Sequence, residues 1–270
     1  MEEIYELIEV DNFKVKCIKS ETVITPYLKT GKLWGSNMEI FIKELYEPNT
    51  NMIDIGAHIG TISLIMSKYI SEGNKIYSFE PVYYDLFEEN IKNNNLQDKT
   101  EIYKIGLSNI KTCYPSFTLD LKQSVGYGAI SFKSLPLKFD ATLNEGIHFQ
   151  TLDSFGFTNV SLIKIDVELF EKEVLEGGTE FLHKNKPTII IELFIMTPLL
   201  KRRYSNGEDA DYTEKERENI TSTTFSCFSL LSYLGYVCFP IIPNEGEFLF
   251  IHKSKTELIN KTNKLLNKFN

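Results

Sequence analysis

Four cysteines, one tryptophan and nine prolines in 270 residues are what this chain has least of. The cysteines, Cys17, Cys113, Cys227 and Cys238, form no C-x-x-C pair and stand near no histidine at metal-ligand spacing. That argues against a zinc site or a disulfide scaffold and for buried, reduced thiols. No apolar run approaches the ~20 residues that span a bilayer. The opening Met-Glu-Glu-Ile-Tyr-Glu-Leu lacks the basic start and apolar stretch of a secretory signal, and it is too acidic for a transit peptide. A cytoplasmic protein is the expectation. A basic excess is missing too: the net charge is -8. This speaks against nucleic acid as the partner, and the acidity is read as simple solubility. No internal repeat is visible.

What is present is an ordinary globular composition, 42% hydrophobic and 24% charged, at a length that suits one large domain or one domain with a small addition. Residues 4–18 alternate as one or two short strands with a turn at Asp11-Asn12, and a helix is predicted over Met38–Tyr46. Strands at Met52–Ile55, Lys75–Phe79 and Glu101–Ile105 then alternate with helices at Thr61–Ile70 and Asp85–Asn94. That rhythm indicates a parallel sheet with crossover connections. Residues 109–150, with Pro115, Gly126, Gly128, Pro136 and Gly146, read as loops and short strands. A strand at Ser161–Ile165, a helix at Leu169–Leu175 ended by Gly177-Gly178, and a strand at Thr188–Leu193 follow. The polar segment 198–222 reads as a functional insertion. After it come a helix at Phe225–Leu234, an antiparallel pair at Tyr236–Ile242 and Glu247–His252 across Pro243-Asn244-Glu245-Gly246, and a surface helix within the lysine-rich tail Lys255–Asn270.

Three stretches carry chemistry. The first is Asp54-Ile-Gly56-Ala57-His58-Ile-Gly60, after a strand and before a helix. Glycines allow a tight turn and close approach of a ligand to the backbone, and a helix start offers free N–H groups. The dinucleotide fingerprint G-x-G-x-x-G fails here, because its second and third places hold His58 and Thr61. The D-x-G-x-x-x-G pattern instead resembles the first motif of class I methyltransferases. The second stretch is Phe79-Glu80-Pro81 at the next strand end, where an acid can accept both ribose hydroxyls of a cofactor. The third, Leu162-Ile-Lys-Ile-Asp166-Val-Glu168-Leu-Phe170-Glu171, ends a buried strand in spaced carboxylates. Ligands in such sheets sit beyond the carboxyl ends of the strands, so Asp166 is expected to face the crevice of the glycine loop. Glu168 and Glu171 also suit the first turn of a helix, and that bland role is expected of at least one of them. Only His58 of the four histidines lies in a motif. Trp34, with Tyr27 and Tyr46, is read as a packing cluster.

NMIDIGAHIGTISL, IYSFEP and LIKIDVELFEKEVLEGG resemble three successive motifs of the FkbM family of methyltransferases. TLDSF at 151–155, Thr188–Leu193 and Leu234-Gly235-Tyr236 resemble further family segments in order, so that the similarity runs over roughly residues 27–252. Two positions depart: His58 replaces the usual Asn, and Leu169 replaces the usual Gly. The resemblance implies an α/β fold, a doubly wound, mostly parallel seven-stranded sheet of Rossmann-like type with an antiparallel C-terminal hairpin and a short N-terminal extension. The corresponding organisation is a lead-in over 1–50, a methyltransferase domain over 51–254 and a polar tail over 255–270. It implies S-adenosyl-L-methionine as cofactor and O-methylation of a hydroxyl on a sugar, glycan or small metabolite. By position, Asp54, Gly56, Ala57, His58 and Gly60 wrap the cofactor's amino-acid portion. Glu80 with Pro81 meets the ribose, Gly106 and Leu107 lie against the adenine, and Asp166 lies near the transferred methyl and the acceptor.

An alcohol acceptor must lose a proton as it is methylated, and a carboxylate or imidazole within reach can take it. Asp166 is the first candidate, Glu168 and Glu192 the next. A divalent ion could serve instead, but nothing in the spacing demands a metal. The competing readings are an S-adenosylmethionine-binding protein without turnover and, against the failed three-glycine count, an NAD-type oxidoreductase. The segment 198–222 is expected to act as a lid or acceptor-recognition loop.

Overall fold

In the computed structural model the described residues are 4–114, 146–194, 201–203, 209–211, 213–242 and 246–268. The chain opens with β1 (Tyr5–Val10) and β2 (Phe13–Ile18), an antiparallel hairpin. Its two-residue turn, Asp11-Asn12, takes positive φ at both positions (51° and 65°). Asx side chains tolerate that region, and its twist suits a hairpin. The short helix α1 (Ile24–Leu28) and α2 (Glu39–Leu45) follow. Sequence periodicity anticipates α2 but not α1.

Seven strands form the central sheet, in the order β13-β14-β10-β9-β3-β4-β5. In chain order its parallel part comprises β3 (Asn51–Ile55), β4 (Ile76–Phe79), β5 (Thr100–Tyr103), β9 (Val160–Ile165) and β10 (Thr188–Glu192). Helices α3 (Thr61–Ser67) and α4 (Tyr84–Asn93) cross between the first three strands. A 3-10 turn at Leu152–Phe155 precedes β9. The helices α5 (Glu171–Glu176) and α6 (Thr179–Asn185) join β9 to β10. Antiparallel β13 (Tyr236–Ile242) and β14 (Glu247–His252) close the far edge. This is the doubly wound, mostly parallel sheet with a C-terminal hairpin that the motifs imply. A small side sheet holds β6 (Gly106–Leu107), β7 (Thr112–Tyr114) and β8 (Ile147–Gln150).

Both faces of the sheet are buried, as helices on either side require. Met52, Leu162, Ile190 and Leu249 pack with the N-terminal hairpin, α2 and α3. Ile53, Ile163, Ile189 and Phe250 pack on the other face with α5, α6 and α7 (Glu214–Tyr233). The period of two along each strand sends alternate side chains to opposite layers.

Three expectations change. Within 198–222 the described residues hold β11 (Lys201–Arg203), paired with β12 (Asp209–Asp211), and the helix α7 begins at Glu214 rather than Phe225. Thr213 and Glu216 form a reciprocal capping box that starts α7. The helix buries only Ile220, Cys227 and Leu231, a stripe too sparse to stand out in the sequence. The helix after β9 begins at Glu171 rather than Leu169, because Glu168 and Leu169 both take left-handed backbone (φ 51° and 78°). The helix after β3 ends at Ser67 rather than Ile70. The tail does carry a helix, α8 (Thr256–Leu266), which buries Thr262 and Leu265 and pairs Lys261 with Glu44 at 3.0 Å. Pro115, Gly126, Gly128, Pro136, residues 198–200 and the turn at Pro243-Asn244-Glu245 lie outside the described residues.

Candidate active site

The glycine turn after β3 is shaped by contact. Gly56 has φ 82°, and a Cβ there would overlap the backbone carbonyl of Asp166. The strands ending at these residues are themselves tied, since the Asp166 N–H donates to the Ile55 carbonyl at 3.0 Å. Gly60 (φ 92°) is the residue before α3 and lies against the Phe87 ring. Asp54 is buried and accepts from the Ser63 hydroxyl at 2.6 Å, and burial pushes its carboxyl up to about 6. Asp54 and Gly60 therefore support the turn from behind.

Two cavities open at the carboxyl ends of the strands. The first is lined by Gly56, His58, Glu80, Pro81, Gly106, Leu107, Phe149, Asp166, Glu168 and Phe170 among others. The second is lined by Val23, Ile24, Trp34, Gly56, Ala57, His58, Thr61, Ile62, Asp166, Glu168 and Glu192. Gly56, His58, Asp166 and Glu168 belong to both. Every proposed cofactor residue except Asp54, Ala57 and Gly60 thus reaches the first cavity, and all three candidate carboxylates reach the second. Leu169, which replaces the usual Gly, lines neither.

Glu80 is nearly inaccessible at 5% exposure. One oxygen accepts from the His58 N–H at 2.8 Å, and the other accepts from the Val82 and Tyr83 N–H groups at 2.7 and 2.9 Å. Burial pushes its carboxyl up to about 7 against these three donors. A carboxylate oxygen has two acceptor positions, so the His58-bound oxygen keeps one for a ligand hydroxyl. Glu171 holds the other turn: its carboxylate accepts from the Val167 and Leu169 N–H groups at 3.3 and 3.1 Å. It is the carboxylate with the bland role.

A cluster missed from sequence lies beneath the second cavity. Lys164 is 1% exposed in the middle of β9, in register with Asp54 and Ile190. Its ammonium stands 3.5 Å from Asp166 and donates to the Ile165 carbonyl at 3.3 Å. Burial works against the charge, but Asp166, Glu192, Glu247 and Asp54 outweigh it and hold the ammonium above its ordinary value. Glu192 is raised well out of the carboxylate range by burial first and the Asp166 charge second, and Glu168 likewise. Asp166 is thus the carboxylate paired with a cation, and Glu168 and Glu192 favour the protonated form beside it. The signal was a lone lysine in an apolar strand, Val160-Ser-Leu-Ile-Lys164-Ile165. Trp34, read as packing, does pack edge-on to Tyr27 at 5.3 Å, yet it also walls the second cavity. No group of three His, Cys, Asp or Glu side chains among the described residues is placed to hold a metal ion, and no helix among them is long and apolar enough to cross a membrane.

Residues 54–200, just over half of the chain, match the family model described as Methyltransferase FkbM domain. Three solved structures are similar at low identity. The methyltransferase FkbM from Methylobacillus flagellatus KT is 12% identical, over 78% of this chain and 50% of that one, with a TM-score of 0.44. A SAM-dependent O-methyltransferase from Thermotoga maritima is 10% identical, over 91% and 76%, at 0.41. The O-methyltransferase from Bacillus cereus in complex with SAH is 13% identical, over 81% and 80%, at 0.40. The chain spans half the length of the Methylobacillus structure. A comparison with curated proteins found no match.

Proposed function

This chain belongs to the FkbM methyltransferase family, and on that premise we propose that it transfers a methyl group to a hydroxyl oxygen of a sugar, glycan or small metabolite. S-adenosylmethionine is the methyl donor. The first cavity fits it: the buried acid at Glu80 keeps one acceptor position, the backbone of Gly56 and Gly106 lines it, and Leu107, Phe149 and Phe170 offer apolar walls. Glu80 would hold one ribose hydroxyl, Gly106 and Leu107 the adenine, and the Gly56–His58 turn the amino-acid end. When bound, the cofactor supplies a methyl already activated on a sulfonium, so positioning of the acceptor contributes much of the rate.

The observation that carries the reading is the junction of the two cavities at Gly56, His58, Asp166 and Glu168. The acceptor enters the second cavity between Trp34, Val23 and Ile24 on one side and Asp166, Glu168 and Glu192 on the other. Asp166, fixed by Lys164, orients the hydroxyl; Glu168 and Glu192, which burial pushes toward the protonated form, donate to neighbouring acceptor oxygens. The test is incubation with S-adenosylmethionine labelled at the methyl carbon and a panel of monosaccharides, methyl glycosides and polyols, followed by carbon NMR of the products. An O-methyl resonance is the expected result. Label found only on nitrogen, or on none of the panel, contradicts the hydroxyl assignment.

A further inference from the structure

His58 stands where the two cavities meet, and it is the position at which this chain departs from the usual Asn of its family's loop. The backbone N–H of His58 is committed to Glu80, and its ring meets Tyr83 edge-on at 4.3 Å. Both ring nitrogens are closed off from bulk water, and neither has a hydrogen-bond partner among the described residues. A buried polar group left without a partner is costly and rare. The protein keeps this one on a residue that lines both cavities, with Gly56, Asp166 and Glu168.

Resting on the reading above, we propose that His58 is the catalytic residue that takes the acceptor's proton. The hydroxyl proton moves to a bare imidazole nitrogen while the oxygen's electron pair forms the bond to the methyl carbon. The carbon–sulfur bond breaks with its electrons returning to sulfur, which leaves S-adenosylhomocysteine. The imidazolium then yields its proton to water entering the acceptor cavity. Asp166 is paired with Lys164 at 3.5 Å, and its charge favours the imidazolium as it forms. Burial lowers the imidazole to about 4, so its lone pair is free throughout the neutral range. The charged and titratable groups around it are Glu80 and Tyr83 from the β4–α4 side, Asp166 and Glu168 from the β9 end, and Glu192 across the cavity.

The test needs no identified acceptor. Asn tolerates the left-handed backbone (φ 51°) of this position, so His58→Asn keeps the turn while removing the imidazole. In wild type labelled with nitrogen-15 histidine and saturated with S-adenosylhomocysteine, methanol serves as the minimal hydroxyl, titrated to about molar concentration. The His58 resonance is identified by its loss in the variant. The expected result has two parts: His58→Asn binds S-adenosylhomocysteine within fivefold of wild type, and methanol moves the unprotonated ring-nitrogen signal. A fivefold or greater loss of affinity would assign the imidazole to the cofactor and overturn the proposal. So would a nitrogen signal indifferent to methanol, as expected of a purely structural histidine. Failure of wild type to bind S-adenosylhomocysteine at all would instead strike the methyltransferase reading itself.

Discussion

Gly56 and Asp166 touch backbone to backbone: the space a side chain on Gly56 would need is filled by the Asp166 carbonyl. The end of β3 and the end of β9 are thereby locked together, and the cofactor turn and the acceptor carboxylate move as one piece. Gly56→Ala adds a Cβ into that contact and a left-handed strain (φ 82°). Overpacking and strain of this kind cost about 2–4 kcal/mol together. Urea unfolding should show that loss, together with a drop of tenfold or more in S-adenosylhomocysteine affinity by calorimetry. Wild-type values for both would mean that the two strand ends are not coupled.

Glu80 offers its last acceptor position to the ribose. Glu80→Gln keeps the shape, weakens the anchors on His58, Val82 and Tyr83, and removes the charge. Hydrogen bonds to charged groups contribute about 1.5–3 kcal/mol, so S-adenosylhomocysteine should bind roughly tenfold to a hundredfold more weakly, while NAD gives no heat with either protein. An unchanged dissociation constant would remove Glu80 from the cofactor site.

His58 makes stability depend on pH. Its unfolded value is 6.5 and its folded value about 4, so between these the unfolded chain takes up a proton that the folded chain refuses. Stability from this group is full above pH 6.5 and is lost as pH falls toward 4. The whole effect is on the order of 3 kcal/mol. Urea unfolding of wild type and His58→Asn at pH 7.5 and 4.5 isolates it: the wild type should lose that much more than the variant on acidification. Equal losses would show a histidine free to protonate in the folded protein.

Leu169 occupies a left-handed backbone position (φ 78°) that favours glycine. Because its side chain lines neither cavity, Leu169→Gly should relieve about 1 kcal/mol of strain without altering cofactor affinity. A higher urea midpoint with an unchanged dissociation constant for S-adenosylhomocysteine is the expected pair of results. A weakened cofactor would show that Leu169 shapes the site after all.

Much of this was readable in the chain. The strand-and-helix rhythm from Met52 onward and the three motif stretches lie in local order, where periodicity and turn chemistry suffice. The sharing of Asp166 and Glu168 between the cavities follows from strands that end side by side, so their approximate place was readable too. Three things were not. Lys164 looks like a misplaced polar residue in an apolar strand until Asp54, Asp166, Glu192 and Glu247 are brought around it from three other turns of the chain. Trp34 and Ile24 reach the second cavity only because the N-terminal segment folds back over β3, a long-range contact with no local signature. The start of α7 carried a signature, Thr213-Glu-Lys-Glu216, but its capping box sits inside a polar run with too few apolar residues to announce a helix.

Asp166 lines both cavities, at the proposed junction of cofactor and acceptor. Single-turnover transfer of labelled methyl to whichever hydroxyl compound of the panel accepts it, by wild type and Asp166→Asn, tests this most directly. Asn at 166 keeps the size of the side chain and removes the charge that faces Lys164 and His58. The predicted result is unchanged S-adenosylhomocysteine affinity with transfer slowed by about 10²–10⁴-fold, because the charge that orients the hydroxyl and favours the forming imidazolium is lost. Transfer at the wild-type rate in Asp166→Asn would contradict it.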